Sequence, residues 1–192
     1  MRRSSDSLEE FVSLLWTGAY DRTIFDTPLH VIGGESAPGL PILNRMQSIL
    51  PLVAARDELA ADLTARGAAS TGWRIVNLLT SVAAETQDLE PTVEETLARV
   101  WAPSSKKAVV AIREAIMAAA RGRDTTTTVA RHVAGTGVNP YGVVVAALAA
   151  LQAPPSRASG VRLPKDAALV LHALGRSIAA VAVAIKTYET AG

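Results

Sequence analysis

The sequence predicts an all-α protein: a single-domain bundle of about eight helices spanning residues 1–192, gathered around a buried C-terminal helix. Three observations carry this expectation. From Leu171 onward, Leu174, Ile178, Val181, Ile185 and Tyr188 recur at alternating three- and four-residue spacing, which aligns them on one side of a helix. Ala173, Ser177, Ala180 and Ala184 form a second row that lets another helix approach closely, and no charge falls between Ile178 and Ile185. The chain is 49% apolar but only 4% aromatic. Its core is therefore built from Ala, Val, Leu and Ile, and many helices must each contribute a modest area.

The first helix is expected to start at Ser7, where Ser7 and Glu10 have capping-box spacing. Leu8, Phe11, Val12, Leu15 and Ala19 then line one face, extended by Trp16. Thr27-Pro28, Gly33-Gly34, Ala37-Pro38-Gly39 and Pro41 make 22–41 a long irregular loop, and its apolar Ile24, Phe25, Leu29, Val31 and Ile32 should pin it to the body. Pro41 opens a second helix along Ile42, Met46, Ile49, Leu50 and Val53. Pro51 should kink or split it, and its pattern runs on through Leu59 and Leu63 to a left-handed cap at Gly67.

A third helix is expected over 71–86 and a fourth from the Thr92/Glu95 capping box to Trp101. Ser104 or Ser105 should cap the fifth, which carries Val109, Ile112 and Ile116. Asp124 caps the sixth, over 125–134, and Asn139-Pro140 leads into the seventh, over 141–152. A surface loop at 153–163 precedes the last helix, started by Pro164.

Composition removes several classes of function. With no cysteine, disulfide scaffolds, Cys-based zinc sites and thiol nucleophiles are excluded. Nineteen basic against 18 acidic residues leave a formal charge of +1, too small for a global pull toward nucleic acid or anionic lipid. The N-terminus lacks a signal-peptide core, and the apolar stretches at 143–150 and 178–185 are far below the ~20 residues of a membrane span. These features set the expectation of a soluble, cytoplasmic protein.

Two segments stand out as candidate sites. Arg121, Arg123, Thr125 and Thr126 surround the start of the sixth helix, with Arg131 and His132 further along it. Free amides at a helix start, flanked by guanidinium and hydroxyl groups, suit a phosphate or carboxylate. Asp124 competes, because it places an anion at that position. The second candidate is the loop carrying His30, Gly33, Gly34 and Glu35, where paired glycines permit close backbone approach and His30 with Glu35 would make an acid–base pair.

No catalytic, metal or cofactor motif is legible. His30, His132 and His172 lack metal-site spacing, and neither a Gly-x-Ser-x-Gly elbow nor a Glu-x-x-His pair occurs. The expectation is therefore a helical interaction or assembly protein, acting through a protein partner or a second copy of itself. The 141–152 helix, apolar on most faces, argues for that extra burial. The alternatives are a helical ligand-binding domain or enzyme for a small anionic molecule, and a helical subunit of a nucleoprotein complex using Arg113, Arg121, Arg123 and Arg131 on phosphates.

Overall fold

A computed structural model describes residues 7–26, 39–151 and 163–191. Among them are eight α-helices: α1 (Leu8–Thr17), α2 (Ile42–Ala54), α3 (Ala65–Ala84), α4 (Val93–Trp101), α5 (Ala108–Arg121), α6 (Thr125–Ala134), α7 (Pro140–Ala149) and α8 (Ala167–Ala191). Short 3₁₀ turns at Arg22–Phe25 and Glu58–Ala61 complete the described structure, which contains no strand.

α8 is the axis. It packs on α1, α2, α3, α5, α6 and α7, and every residue from Ala173 to Ala182 is buried. A helix covered on all sides has no need of a polar face. α8 is also long and apolar enough to cross a membrane, yet most of its apolar window is buried inside this protein, as in the core helix of a bundle. Buried apolar residues from all eight helices join one contiguous cluster.

Close packing on α8 depends on two glycines. A Cβ on Gly175 would lie 2.4 Å from Ala119 Cβ and 2.5 Å from the Ile116 carbonyl of α5. A Cβ on Gly72 would lie 2.6 Å from Val181 Cγ1 and 3.0 Å from the Trp16 ring. Both positions are crossings where helix axes approach too closely for a side chain. Trp16 then ties α1 to the axis, its indole N–H donating to the Ile178 carbonyl at 2.9 Å.

Helix starts follow their caps. Ser7, Thr64, Thr92, Asp124 and Asn139 each accept a backbone N–H two or three residues on. The start of α6 falls where the sequence places it, as does the first turn of α1. Ile24 is buried and Phe25 meets Trp73 edge-on at 4.7 Å, so the part of the 22–41 segment that is described lies against the body.

Several boundaries differ from expectation. α2 contains Pro51 and ends at Ala54, and the chain does not continue as helix to Gly67. Asp57 caps the following 3₁₀ turn, and Thr64 then opens α3 by accepting from the Gly67 amide. Gly67 thus lies in a first turn instead of ending a helix, and α3 begins at Ala65 instead of residue 71. Neither Ser104 nor Ser105 caps α5: the chain turns through backbone bonds from Ser105 to Ala102 and from Ala108 to Ser105, and helix follows. Ala19 lies beyond α1 and is exposed. α7 spans 140–149 instead of 141–152, and α8 begins at Ala167, a turn after Pro164.

α7 also settles a question of burial. Its neighbours α2, α3, α6 and α8 cover it so well that Ala149 is its one exposed residue. The apolar surplus read from its sequence is accommodated within the chain.

Candidate functional site

The predicted anion site at the start of α6 is built around a side chain from α8. Asp124 Oδ1 accepts from the Thr126 amide at 2.9 Å and from the Thr126 hydroxyl. Arg176, fully buried, reaches the same point. Its Nε donates to Thr126 Oγ1 at 2.8 Å and one terminal nitrogen to Asp124 Oδ1 at 2.6 Å. The other terminal nitrogen donates to the Ala119 and Gly122 carbonyls, at 3.0 and 2.6 Å. One guanidinium therefore closes the C-terminal end of α5 and holds the N-terminal cap of α6.

This arrangement sorts the predicted residues. Thr126 is buried inside the clasp, whereas Arg123, Thr125, Arg131 and His132 are exposed around it. The Arg121 guanidinium lies 4.7 Å over the Phe11 ring and so braces α5 against α1. Burial pushes the Asp124 carboxyl up, but the Thr126 hydrogen bonds and Arg176 outweigh it, leaving the group below its ordinary range. The helix start thus already holds an anion, and that anion holds a cation. Half-buried His172 is pushed below its ordinary value by burial and then by Arg176. The predicted loop residues His30, Gly33, Gly34 and Glu35 lie outside the described residues.

A second buried network joins three elements. Asp57 Oδ2 accepts from Arg74 Nε at 3.0 Å and from the Tyr141 hydroxyl at 2.9 Å, and it is 2.8 Å from Arg74 Nη2. That nitrogen also donates to Thr71 Oγ1 at 2.8 Å. Burial, reinforced by the Asp57 charge, drives the Tyr141 phenol far above its ordinary value, so it stays a protonated donor. The network fixes the turn after α2 against α3 and α7.

The third cluster is the one with chemistry in reserve. Glu94, in the first turn of α4, is 2% exposed, and its Oε2 has no hydrogen-bond partner. Glu9, in the first turn of α1, has an unpartnered buried Oε1. Burial pushes the Glu94 carboxyl up to about 7; Glu9 and Glu95 push the same way, while its own amide and Arg113 oppose them. Burial, with a smaller push from Glu95, also raises Glu9, against its own amide, the Ser7 hydroxyl and Arg113. A carboxyl poised near neutrality can take up and release a proton. In this conformation, however, Glu94 is too buried to touch a solvent-borne substrate.

Neither Arg176 nor Glu94 is singled out by sequence reasoning. Arg176 interrupts the apolar run between Leu174 and Ile178, a sign that a charge is being buried for a partner. The clue to the glutamates is a shared pattern. Ser7-Leu8-Glu9-Glu10 and Thr92-Val93-Glu94-Glu95 have the same form, and a tryptophan follows nine residues after each cap, at Trp16 and Trp101. The capping box explains Glu10 and Glu95, which leaves Glu9 and Glu94 as the residues wanting another explanation. Comparison with protein-family models, with curated proteins and with solved structures gave no match for this chain.

Proposed function

We propose that this chain is a helical assembly protein that acts through protein–protein contacts, with a second copy of itself as the partner. The observation that carries this reading is the corner between α4 and α5. Val100 and Val110 stand 42% and 44% exposed on either side of the connection between two helices that pack together. Lys106 and Lys107 are exposed near them, and so are Glu95 and Glu114 further along the same two helices. A patch carrying both signs around apolar residues can face its own copy across a two-fold axis, where each acid meets a base. A formal charge of +1 opposes such pairing little. A cytoplasmic setting belongs to the same reading.

Light scattering after size exclusion, over micromolar to hundred-micromolar concentrations, tests it. The expected result is a dimer that a Val100→Glu, Val110→Glu double variant turns into a folded monomer. A wild-type monomer throughout that range, or a dimer indifferent to the double variant, would overturn the reading.

A further inference from the structure

The solvent side of α5 carries an ordered row. Lys107, Val110, Glu114 and Ala118 are all exposed, and spacings of three, four and four residues align them on one face of the helix. Lys107 is the cap residue of α5, and Val110 is 44% exposed. Among the described residues, no ion pair involves Lys107 or Glu114. We propose that two copies of the chain pair through antiparallel α5 helices. Val110 meets its own copy on the two-fold axis, and Lys107 bridges Glu114 of the second copy on each side of it. This pairing rests on the self-association proposed above and gives it a helix, an orientation and a register.

The charges choose the orientation. Parallel α5 helices related by a two-fold axis would place Lys107 beside Lys107 and Glu114 beside Glu114, like on like. An antiparallel pair reverses one row against the other, so a residue before the centre meets one beyond it. The spacing then chooses the register. At the helical rise, Lys107 lies about 4.5 Å before Val110 and Glu114 about 6 Å beyond it. Centring on Val110 therefore brings both cation–anion pairs within side-chain reach at once. Centring on Lys107 or on Glu114 sets like charges on the axis. The other cations of α5 do not disturb the row, since Arg113 is half-buried and Arg121 lies over Phe11. Ala118 is small and lets the helices stay close beyond the bridges. Exposed bridges of this kind set partner and register more than affinity.

Charge reversal in the full chain tests the register. Lys107→Glu places two acids at each bridge, and Glu114→Lys places two bases there. Each variant alone is expected to dissociate at least about tenfold more readily than wild type. Mixed in equal amounts, an acidic copy and a basic copy restore both bridges, and the mixture is expected to dimerise at wild-type strength. Light scattering after size exclusion reads each sample in about 50 mM salt, where exposed charges are weakly screened. Both positions are exposed, so the variants should keep the wild-type dichroism. Recovery in the mixture separates pairing from a structural role, because each chain still carries its own substitution.

Should either single variant fail to fold, the Lys107→Glu, Glu114→Lys double variant decides. It carries both bridges in reversed sense and is expected to dimerise like wild type. A mixture or a double variant that stays monomeric, or single variants that dimerise as wild type does, would overturn this register. The self-association itself would still stand if Val100→Glu, Val110→Glu abolished the wild-type dimer. A wild-type monomer throughout the same concentration range would overturn both.

Discussion

Arg176 is the residue on which most of the polar geometry turns. Its carrier helix is otherwise uncharged where it is buried, so the guanidinium must be matched within the protein or left at high cost. It is matched four times over, by two carbonyls, a hydroxyl and a carboxylate. Truncation would take a donor from each of those acceptors and leave a void. Arg176→Ala should therefore lower stability by about 3–5 kcal/mol, seen as a lower urea midpoint. Arg176→Lys should recover little of it, because an ammonium on a flexible stem lacks the planar fork that reaches several acceptors at once. A lysine variant as stable as the wild type would show that charge alone, not the fork, is what the site requires. Asp57 plays the converse part, as one carboxylate matched to Arg74 and Tyr141 from two helices.

At the scale of elements, the sequence shows helices more clearly than it shows their neighbours. α6 and the start of α1 are legible because a single cap and a short periodic run decide each of them. The chain between α2 and α3 is not, because apolar spacing continues through Leu59 and Leu63 while the deciding contact is distant. Asp57 is held by Arg74 and Tyr141, and no local pattern announces that. The candidate site is half legible for the same reason. Asp124 and Thr126 are neighbours in sequence, but Arg176 is fifty residues from Thr126. Helix crossings are likewise set by single residues. At Gly175 an added methyl would meet Ala119 Cβ and the Ile116 carbonyl, neither of which can swing aside. At Gly142 it would meet only a methyl of Val138, which is partly exposed and can move. Gly175→Ala should thus destabilise by about 1–3 kcal/mol as α5 and α8 are forced apart. Gly142→Ala should be neutral or stabilise by up to about 1 kcal/mol, since alanine costs less entropy in a helix. Thermal melts of the two variants read the contrast directly, and equal losses in both would remove close approach as the reason for Gly175.

For the molecule as a whole, the decisive feature is that no subset of helices owns a core. α8 contributes to the burial of six others, and the buried apolar residues of all eight form one cluster. Sparse aromatics sharpen this dependence, because small side chains bury enough area only when many surfaces meet at once. Removing any one layer strips cover from α8 and, through it, from the remainder. Unfolding should then be a single cooperative transition, and the protein carries reporters placed to check it. Trp16 sits at the α1–α8 contact, Trp73 on α3 against Phe25, and Trp101 at the end of α4. Three variants, each keeping one tryptophan and replacing the others by phenylalanine, should give fluorescence transitions in urea that coincide with the far-ultraviolet dichroism of the same variant. A Trp16 transition that preceded the others would mean that α1 is an attachment to the bundle and not a wall of it. The single-core description would then have to shrink to the helices that remain.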